Sequence, residues 1–88
     1  MELATKISNL VGIIAGIITT SALLPQAIKI YRTKSARDIS LAMFIFLAVG
    51  VTLWLIYGIL IKEVPVIAAN FFSLLLIMAI IAMKIRYR

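Results

Sequence analysis

Residues 39–83 read ISLAMFIFLAVGVTLWLIYGILI, then KE, then VPVIAANFFSLLLIMAIIAM. The two uncharged runs hold 23 and 20 residues, and a helix needs about 20 apolar residues to cross a ~30 Å hydrocarbon core. The charged pair between the runs leaves room only for a tight turn, and Pro65 falls in the first turn of the second helix, where a missing N–H is tolerated. The pattern predicts two membrane-spanning helices that form an antiparallel hairpin.

A third uncharged run precedes this hairpin, extends from Ile7 to Ile28 and holds 22 residues. It is too long for the apolar region of a secretory signal, which spans about 7–15 residues, and it lacks a persuasive cleavage site. We therefore expect an all-α membrane protein, a single domain over residues 1–88. Its three spans are predicted at about residues 7–28, 39–61 and 64–83.

Composition supports a membrane protein and argues against an enzyme. Of the 88 residues, 65% are hydrophobic and 14% are charged, whereas average globular chains are about half apolar and about a quarter charged. A chain this short buries only about 60% of its surface when it folds alone, so lipid or a partner must cover the rest. Cysteine and histidine are both absent, which excludes disulfides, thiolate or imidazole metal sites and the commonest nucleophiles and bases. We expect no enzymatic activity, no metal and no cofactor.

The basic residues lie mainly at one edge of the membrane. Seven of the nine fall in the loop after the first run and in the C-terminal tail, namely Lys29, Arg32, Lys34, Arg37, Lys84, Arg86 and Arg88. Lys6 and Lys62, on the other side, are matched by Glu2 and Glu63. The positive-inside bias therefore places the loop and the C-terminus in the cytoplasm and the N-terminus outside. Because the net charge of +6 is confined to the membrane edges, we expect no nucleic-acid partner.

Pro25 and Gln26 lie near the inner end of the first run. Proline at this position removes the hydrogen bond to the Ser21 carbonyl and clashes with it, so a kink or hinge is expected. A static bend, satisfied by nearby hydroxyls, is the alternative interpretation. The Gln26 amide is suited to hold the opened backbone.

Trp54 and Asn70 are the strongest candidates for a binding site. Asn70 is an amide deep inside an apolar span, where an unsatisfied polar side chain is costly, and Trp54 is the only tryptophan. Measured from the midpoints of their spans, both lie about 5–6 Å toward the outside at 1.5 Å per residue. An indole covers the apolar face of a ligand ring while an amide pairs with hydroxyls, so the pair indicates a small polyhydroxylated ligand. Ser73, one turn beyond Asn70, shares its face.

Each of these residues also has a structural interpretation when taken alone. Trp54 is explained as an interfacial anchor placed a little deep. Asn70 is explained by a hydrogen bond between helices.

A stripe along the second span extends the candidate site. At the helical period its members fall near one line, and they are Met43, Leu47, Gly50, Trp54, Tyr57 or Gly58, and Ile61. Such a stripe is suited to line a pathway, with Met43 and Leu47 at the inner gate and Tyr57 and Ile61 at the outer gate. A plain packing seam explains each residue equally well.

Three helices alone leave no ligand-sized passage, because each is about 10–12 Å across and fills the space between its neighbours. Two copies in the same orientation, related by an axis along the membrane normal, bring Trp54 and Asn70 of both chains to one central site. We therefore expect a parallel homodimer.

The motifs, taken together, resemble those of the bacterial SemiSWEET sugar transporters, half-size members of the wider PQ-loop group. The matching segments are Thr19-Thr20, Pro25-Gln26, Thr33 to Ser40, Leu53 to Gly58, Pro65 and Asn70. The resemblance implies a triple-helix bundle ordered 1-3-2 in space, a homodimer and alternating access to a central sugar site.

The resemblance also assigns roles to single residues. It implies that Trp54 and Asn70 contact the sugar, that Pro25 is a hinge and that Tyr57 helps to close the outer gate. Family members often carry a charged residue near that gate, whereas this chain has Ile61, so the composition of the outer gate stays open.

These expectations combine into a sugar transporter of a bacterial inner membrane, surrounded by lipid, for glucose- or sucrose-class substrates. No Asp, Glu, Lys, Arg or His lies inside the three runs, so no obvious buried group is available to carry a proton with the sugar, and facilitated diffusion is expected. A PQ-loop carrier of another small solute, such as an amino acid, is the nearest alternative. A small multidrug exporter and an accessory subunit of a larger complex are further ones.

Overall fold

The structure, a computed structural model, describes residues 2–87. Within them it has three helices, α1 (Glu2–Thr33), α2 (Leu41–Ile61) and α3 (Val64–Tyr87). Each helix is long and apolar enough to cross a membrane, which confirms the three predicted spans. Arg88, counted above among the basic residues of the tail, lies outside the described residues.

Helix α1 is longer than its uncharged run at both ends. It continues through Pro25 without interruption and includes Lys29 and Arg32, because basic side chains at a membrane edge do not break a helix. Lys34 ends it with φ of 56°, and the Lys34 N–H donates to the Ile30 carbonyl at 2.9 Å. Hydropathy therefore marks the span, whereas the left-handed residue marks the end of the helix.

Helix α2 begins and ends with caps. The Ser40 side chain accepts a hydrogen bond from the Met43 N–H at 3.2 Å, so Ser40 is the N-cap. At the other end Lys62 adopts φ of 58°, and the Glu63 N–H donates to the Gly58 carbonyl at 3.0 Å. This left-handed turn reverses the chain at once and builds the predicted hairpin.

Helix α3 lies in the middle of the bundle. It packs along both α1 and α2, while α1 and α2 do not pack on each other within residues 2–87. The spatial order is therefore 1-3-2, as the family resemblance implied. We call the end that carries the loop between α1 and α2 the inner end, after the orientation expected from charge.

Small residues bring α1 close to α3. A Cβ built on Gly16 would lie 2.5 Å from the Cβ of Ala69, and one on Gly12 would lie 3.4 Å from the Cβ of Pro65. One turn further inward, the hydroxyls of Thr20 and Ser73 share a hydrogen bond of 2.8 Å. These pairs recur every four residues on both helices, so α1 and α3 run parallel in a fixed register.

The tightest packing lies at the inner end. The buried apolar side chains come from all three helices and the inner loop, and they are Ala27, Ile30, Ala36, Phe44, Ile77 and Ile80. The inner loop (residues 34–40) is fastened there, because the Lys84 Nζ donates to the Ala36 carbonyl at 2.8 Å. The Lys34 Nζ also lies 4.0 Å from the centroid of the Tyr31 ring and 5.4 Å from that of Tyr87, within the range of a cation–π contact.

Candidate functional site

Trp54 lies on a largely open side of α2. Its side chain is 57% exposed, and its ring meets the Tyr57 ring edge to face, with centroids 5.5 Å apart and planes at 88°. Gly50, Leu53, Trp54 and Tyr57 line an open cavity of about 340 Å³. A Cβ built on Gly50 would meet nothing within 4 Å, so this glycine leaves space beside the indole.

The hairpin register sets Trp54 level with Asn70. A Cβ built on Gly58 would lie 2.9 Å from the Val66 Cγ1 and 3.2 Å from the Ile67 N, so Gly58 is level with these two residues. Because α2 and α3 are antiparallel, a step of four residues back from Gly58 along α2 covers the same depth as a step of four residues forward from Val66 and Ile67 along α3. The first step leads to Trp54, and the second leads to Asn70 and Phe71. The two candidate residues therefore share one depth in the membrane.

They also lie on the same side of the bundle. The contacts of Gly58 with Val66, and of Thr20 with Ser73, fix how each helix is rotated toward α3. With about 3.6 residues per turn, Trp54 and Asn70 then lie on the side where α1 and α2 open toward each other. We call this side the open face of the protomer.

Asn70 is half-buried and bonds within its own helix. Its Nδ2 donates to the Val66 carbonyl one turn back at 2.8 Å. No hydrogen bond from Asn70 to another helix is found within residues 2–87, and the amide oxygen Oδ1 retains its acceptor capacity. The interhelical hydrogen bond weighed from the sequence is therefore not formed in the protomer.

Ser73 is buried, with 7% of its surface exposed. Its hydroxyl is engaged with that of Thr20, which in turn approaches the Ala69 carbonyl at 3.4 Å. This pair joins α1 to α3 at the level next to Asn70, and sequence reasoning did not find it. The available signal was that Thr20 continues the four-residue spacing of Gly12 and Gly16, so it had to face α3.

The predicted gate residues are half-exposed and widely spaced along α2. Met43 is 54% exposed and Leu47 39% at the inner half, while Tyr57 is 50% and Ile61 46% exposed at the outer half. Gly58 is buried against Val66, so Tyr57 is the member of the stripe at that level. In a single chain all four side chains therefore stay partly open on the surface of α2.

Pro25 and Gln26 border a second depression at the inner end, between α1 and the inner loop. This inner cleft has a volume of about 460 Å³. Its lining comprises Pro25, Gln26, Lys29, Ile30, Thr33, Ser35, Ala36, Arg37, Asp38 and Ile39.

A third depression, of about 310 Å³, lies between α1 and α3 and is lined by Gly16, Thr20, Ala69 and Phe72 among others. By the helical rotation given above it faces away from Trp54. Its lining is mostly apolar, which suits lipid contact better than sugar binding.

The sequence and structure match known proteins over nearly the whole chain. Residues 7–67 match the PQ loop repeat family. Over 79 residues the chain is 50% identical to a protein of Bradyrhizobium diazoefficiens named sugar transporter SemiSWEET, and the match covers 90% of this chain and 92% of the relative. The chain belongs to the SemiSWEET group of the PQ-loop family.

Solved SemiSWEET-type structures share this fold. The crystal structure of a bacterial homologue of SWEET transporters superposes with a TM-score of 0.88 at 72% identity, covering 93% of this chain and 99% of that chain. The crystal structure of SemiSWEET in the inward-open conformation superposes with a TM-score of 0.81 at 33% identity, covering 92% and 87%. This SemiSWEET chain is therefore a multi-pass membrane protein, and its named relatives are transporters rather than enzymes.

Proposed function

We propose that the chain transports mono- or disaccharide sugars across the membrane by alternating access, as a parallel homodimer. The observation that carries the proposal is the placement of Trp54 and Asn70 at one depth on the open face. Relatives of 50% and 42% identity that are named sugar transporters support the same conclusion.

The chemistry of the pair suits a sugar. The indole of Trp54 offers a flat apolar surface for the C–H face of a pyranose ring. The Asn70 Oδ1 accepts a hydrogen bond from a sugar hydroxyl, and Nδ2 donates to the ligand when it leaves the Val66 carbonyl. The Ser73 hydroxyl also contributes when it gives up its hydrogen bond with Thr20 and forms one with the sugar instead.

A second copy completes the site. Trp54 is more than half exposed in the protomer, and a sugar bound there alone would be open on its other face. Two parallel protomers with their open faces together place two Trp54 and two Asn70 side chains around one central space. The N-terminus then lies outside, and the C-terminus and inner loop lie in the cytoplasm of a bacterial cell, with residues 1–88 as one domain in its inner membrane.

The same arrangement gives a mechanism. Met43 and Leu47 of both chains close the pathway on the inner side, and Tyr57 and Ile61 close it on the outer side. Pro25 leaves the Ser21 carbonyl without its helical donor, so α1 bends there and opens one gate at a time, with Gln26 beside the opened backbone. Since the uncharged runs hold no Asp, Glu, Lys, Arg or His, the sugar moves by facilitated diffusion, without a proton.

Equilibrium exchange of radiolabelled glucose and sucrose in liposomes tests the site. Wild-type protein is expected to exchange at least one of the two sugars with no ion gradient, and Trp54→Ala and Asn70→Ala are expected to abolish exchange. Phe72→Ala is the matched control, because Phe72 is also 57% exposed but faces the α1–α3 depression. Exchange that survives both site substitutions would place the sugar elsewhere, and silence of the wild type toward both sugars would favour a carrier of another solute.

Two further measurements test the mechanism. Pro25→Ala restores a helical hydrogen bond, so it is expected to leave the fold stable and to slow exchange. Normal exchange by this variant would remove the hinge role. Acidification of the lumen in proportion to the sugar taken up would contradict uniport.

A further inference from the structure

The inner cleft differs in chemistry from the rest of the pathway. The Trp54/Asn70 layer is mostly apolar, whereas the inner cleft presents an amide, two hydroxyls, a carboxylate and two cations. These groups belong to Gln26, Thr33, Ser35, Asp38, Lys29 and Arg37. Its volume of about 460 Å³ falls within the range of about 300–1,000 Å³ usual for small-molecule sites.

The charged groups of the cleft do not neutralise one another. Lys29, Arg37 and Asp38 line one depression, yet no ion pair joins them within residues 2–87, where the pair that is found links Lys6 to Glu2 at the far end of α1. The side chain of Gln26 is likewise without a hydrogen bond inside the described part of the chain. All four side chains therefore keep their hydrogen-bonding capacity for a molecule that enters the cleft.

The wall that carries Arg37 and Asp38 is held in place. Ala36, just before them, is 1% exposed, and its carbonyl accepts from the Lys84 Nζ at 2.8 Å. The same carbonyl accepts from the Ile39 N–H at 3.2 Å, which closes a turn with Arg37 and Asp38 at its two central positions. The loop therefore presents these side chains from a fixed backbone.

The opposite wall is the inner end of α1. Lys29 and Thr33 lie one turn apart on it, and the Thr33 hydroxyl donates to the Lys29 carbonyl at 2.8 Å. Gln26 lies about one turn outward of Lys29, next to Pro25. Through Pro25 this wall belongs to the segment that the proposed hinge would move, so the width of the cleft is coupled to the state of the hinge.

The cleft is separate from the central layer but lies on the same route. Thr20 is level with Ser73, and Gln26 is six residues further inward, so about 13 Å separates Gln26 from the level of Asn70 at 1.5 Å per residue. By the helical rotation already given, Gln26 and Lys29 lie toward the open face. A sugar that passes between the central layer and the cytoplasm passes this cleft.

We propose that the inner cleft is a second subsite for the neutral sugar, formed by Gln26, Lys29, Arg37 and Asp38 in each protomer. Planar amide, carboxylate and guanidinium groups pair with adjacent hydroxyls through two hydrogen bonds at once. Lys29 and Arg37 outnumber Asp38 in charge, so the preference for a neutral polyol rests on hydrogen bonding: the Asp38 carboxylate only accepts, and a sugar supplies many hydroxyl donors to it whereas an ionised phosphate does not. The subsite rests on the proposed transport function and adds to it a holding position at the cytoplasmic mouth.

Protection of a single cysteine tests the subsite. The chain has no cysteine, so Ser35→Cys supplies one thiol in the cleft, and Arg32→Cys supplies a control on α1 that is not part of the cleft lining. The rate of maleimide labelling of the detergent-purified dimer is measured with glucose or sucrose, whichever the wild type exchanges, and with glycine betaine at equal osmolality. At a sugar concentration of about twice its Kd, labelling of the cleft thiol is expected to slow about threefold, while the control thiol is unaffected.

Second substitutions separate the two sites. Protection of the cleft thiol is expected to persist with Trp54→Ala, which removes the central site, and to disappear with Asp38→Asn, a change that keeps the shape of the side chain. The reverse pattern would overturn the subsite, since protection would then report occupancy of the central layer.

Further arms separate the ligand and the underlying function. Stronger protection by glucose 6-phosphate or inorganic phosphate than by the neutral sugar would overturn the assignment to a neutral sugar. Equal slowing of labelling at the control thiol would also overturn the proposal, because it would show that the sugar slows labelling in general and not at the cleft. Wild-type exchange without protection of the cleft refutes the subsite alone, whereas absence of exchange refutes the transport proposal itself.

Discussion

At the scale of single residues, Gly50 and Gly58 lie two turns apart on α2 and have opposite environments. A Cβ on Gly58 would lie 2.9 Å from the Val66 side chain and 3.2 Å from the Ile67 backbone nitrogen, whereas one on Gly50 would meet nothing within 4 Å. The first glycine is required by the packing of α2 on α3. The second is required, on our proposal, by the space that a sugar occupies beside Trp54.

Gly50→Leu is therefore expected to leave the protein folded and to block transport. Leucine has a better helix propensity than glycine by about 0.8 kcal/mol, and the protomer offers its side chain open space. The same side chain would fill the cavity beside the indole, so sugar exchange is expected to fall at least tenfold, which equals about 1.4 kcal/mol of binding or barrier. Exchange rates and thermal melts of the purified protein give both readouts.

Gly58→Ala is the control for this prediction, because here the expected loss is in stability. Overpacking against α3 is expected to lower the melting temperature, at a cost of about 1–3 kcal/mol. Unimpaired exchange by Gly50→Leu would show that the cavity at Gly50 is not part of the pathway.

At the scale of helices, the seam between α1 and α3 depends on close approach rather than on large side chains. Gly16 and Ala69 are so close that an additional methyl group does not fit between them. At Gly12, by contrast, an added Cβ would lie at about ordinary contact distance from Pro65. Between membrane helices, where water provides no hydrophobic drive, such small-residue packing supplies much of the association energy.

Two alanine substitutions one turn apart test this seam. Gly16→Ala is expected to push the helices apart and destabilise the protein by about 1–3 kcal/mol. Gly12→Ala is expected to be neutral or slightly stabilising, because it gains up to about 1 kcal/mol of helix propensity. Melting temperatures in one detergent, measured side by side, check the contrast, and an equal loss in both variants would contradict the proposed register.

Some features of the helices could be predicted from the sequence and others could not, for physical reasons. The hairpin was predictable because two residues between two apolar runs permit a single kind of connection, and that connection sets Trp54 level with Asn70. The C-terminal end of α1 was not predictable, since Lys29 and Arg32 are compatible both with a helix and with a loop. The hydrogen bond from Asn70 to Val66 depends on the rotamer of Asn70, and the burial of Ala36 depends on where the Lys84 side chain reaches. Local sequence patterns therefore predict neither feature.

At the scale of the molecule, the described residues form a flat slab of about 49 × 21 × 14 Å with its buried side chains gathered at the inner end. The outer half is joined mainly by glycine contacts and by the Thr20–Ser73 hydrogen bond. Trp54, Asn70 and the stripe of α2 lie on a face that a single chain does not close. On our proposal this face is half of the pathway, and a second copy supplies the other half.

Mixing subunits tests whether two chains share one site. Wild-type and Trp54→Ala chains with different tags, expressed in equal amounts, form random dimers of which about a quarter are wholly wild type. If both Trp54 rings surround one sugar and either defect inactivates the site, exchange per chain falls to about a quarter of the wild-type value, whereas independent protomers would retain about half. Purifying the mixed dimer through both tags sharpens the readout, because a shared site predicts almost no exchange by that species. Half-maximal exchange by the mixed dimer would mean that each chain transports through a pathway of its own, contrary to the open face that the protomer presents.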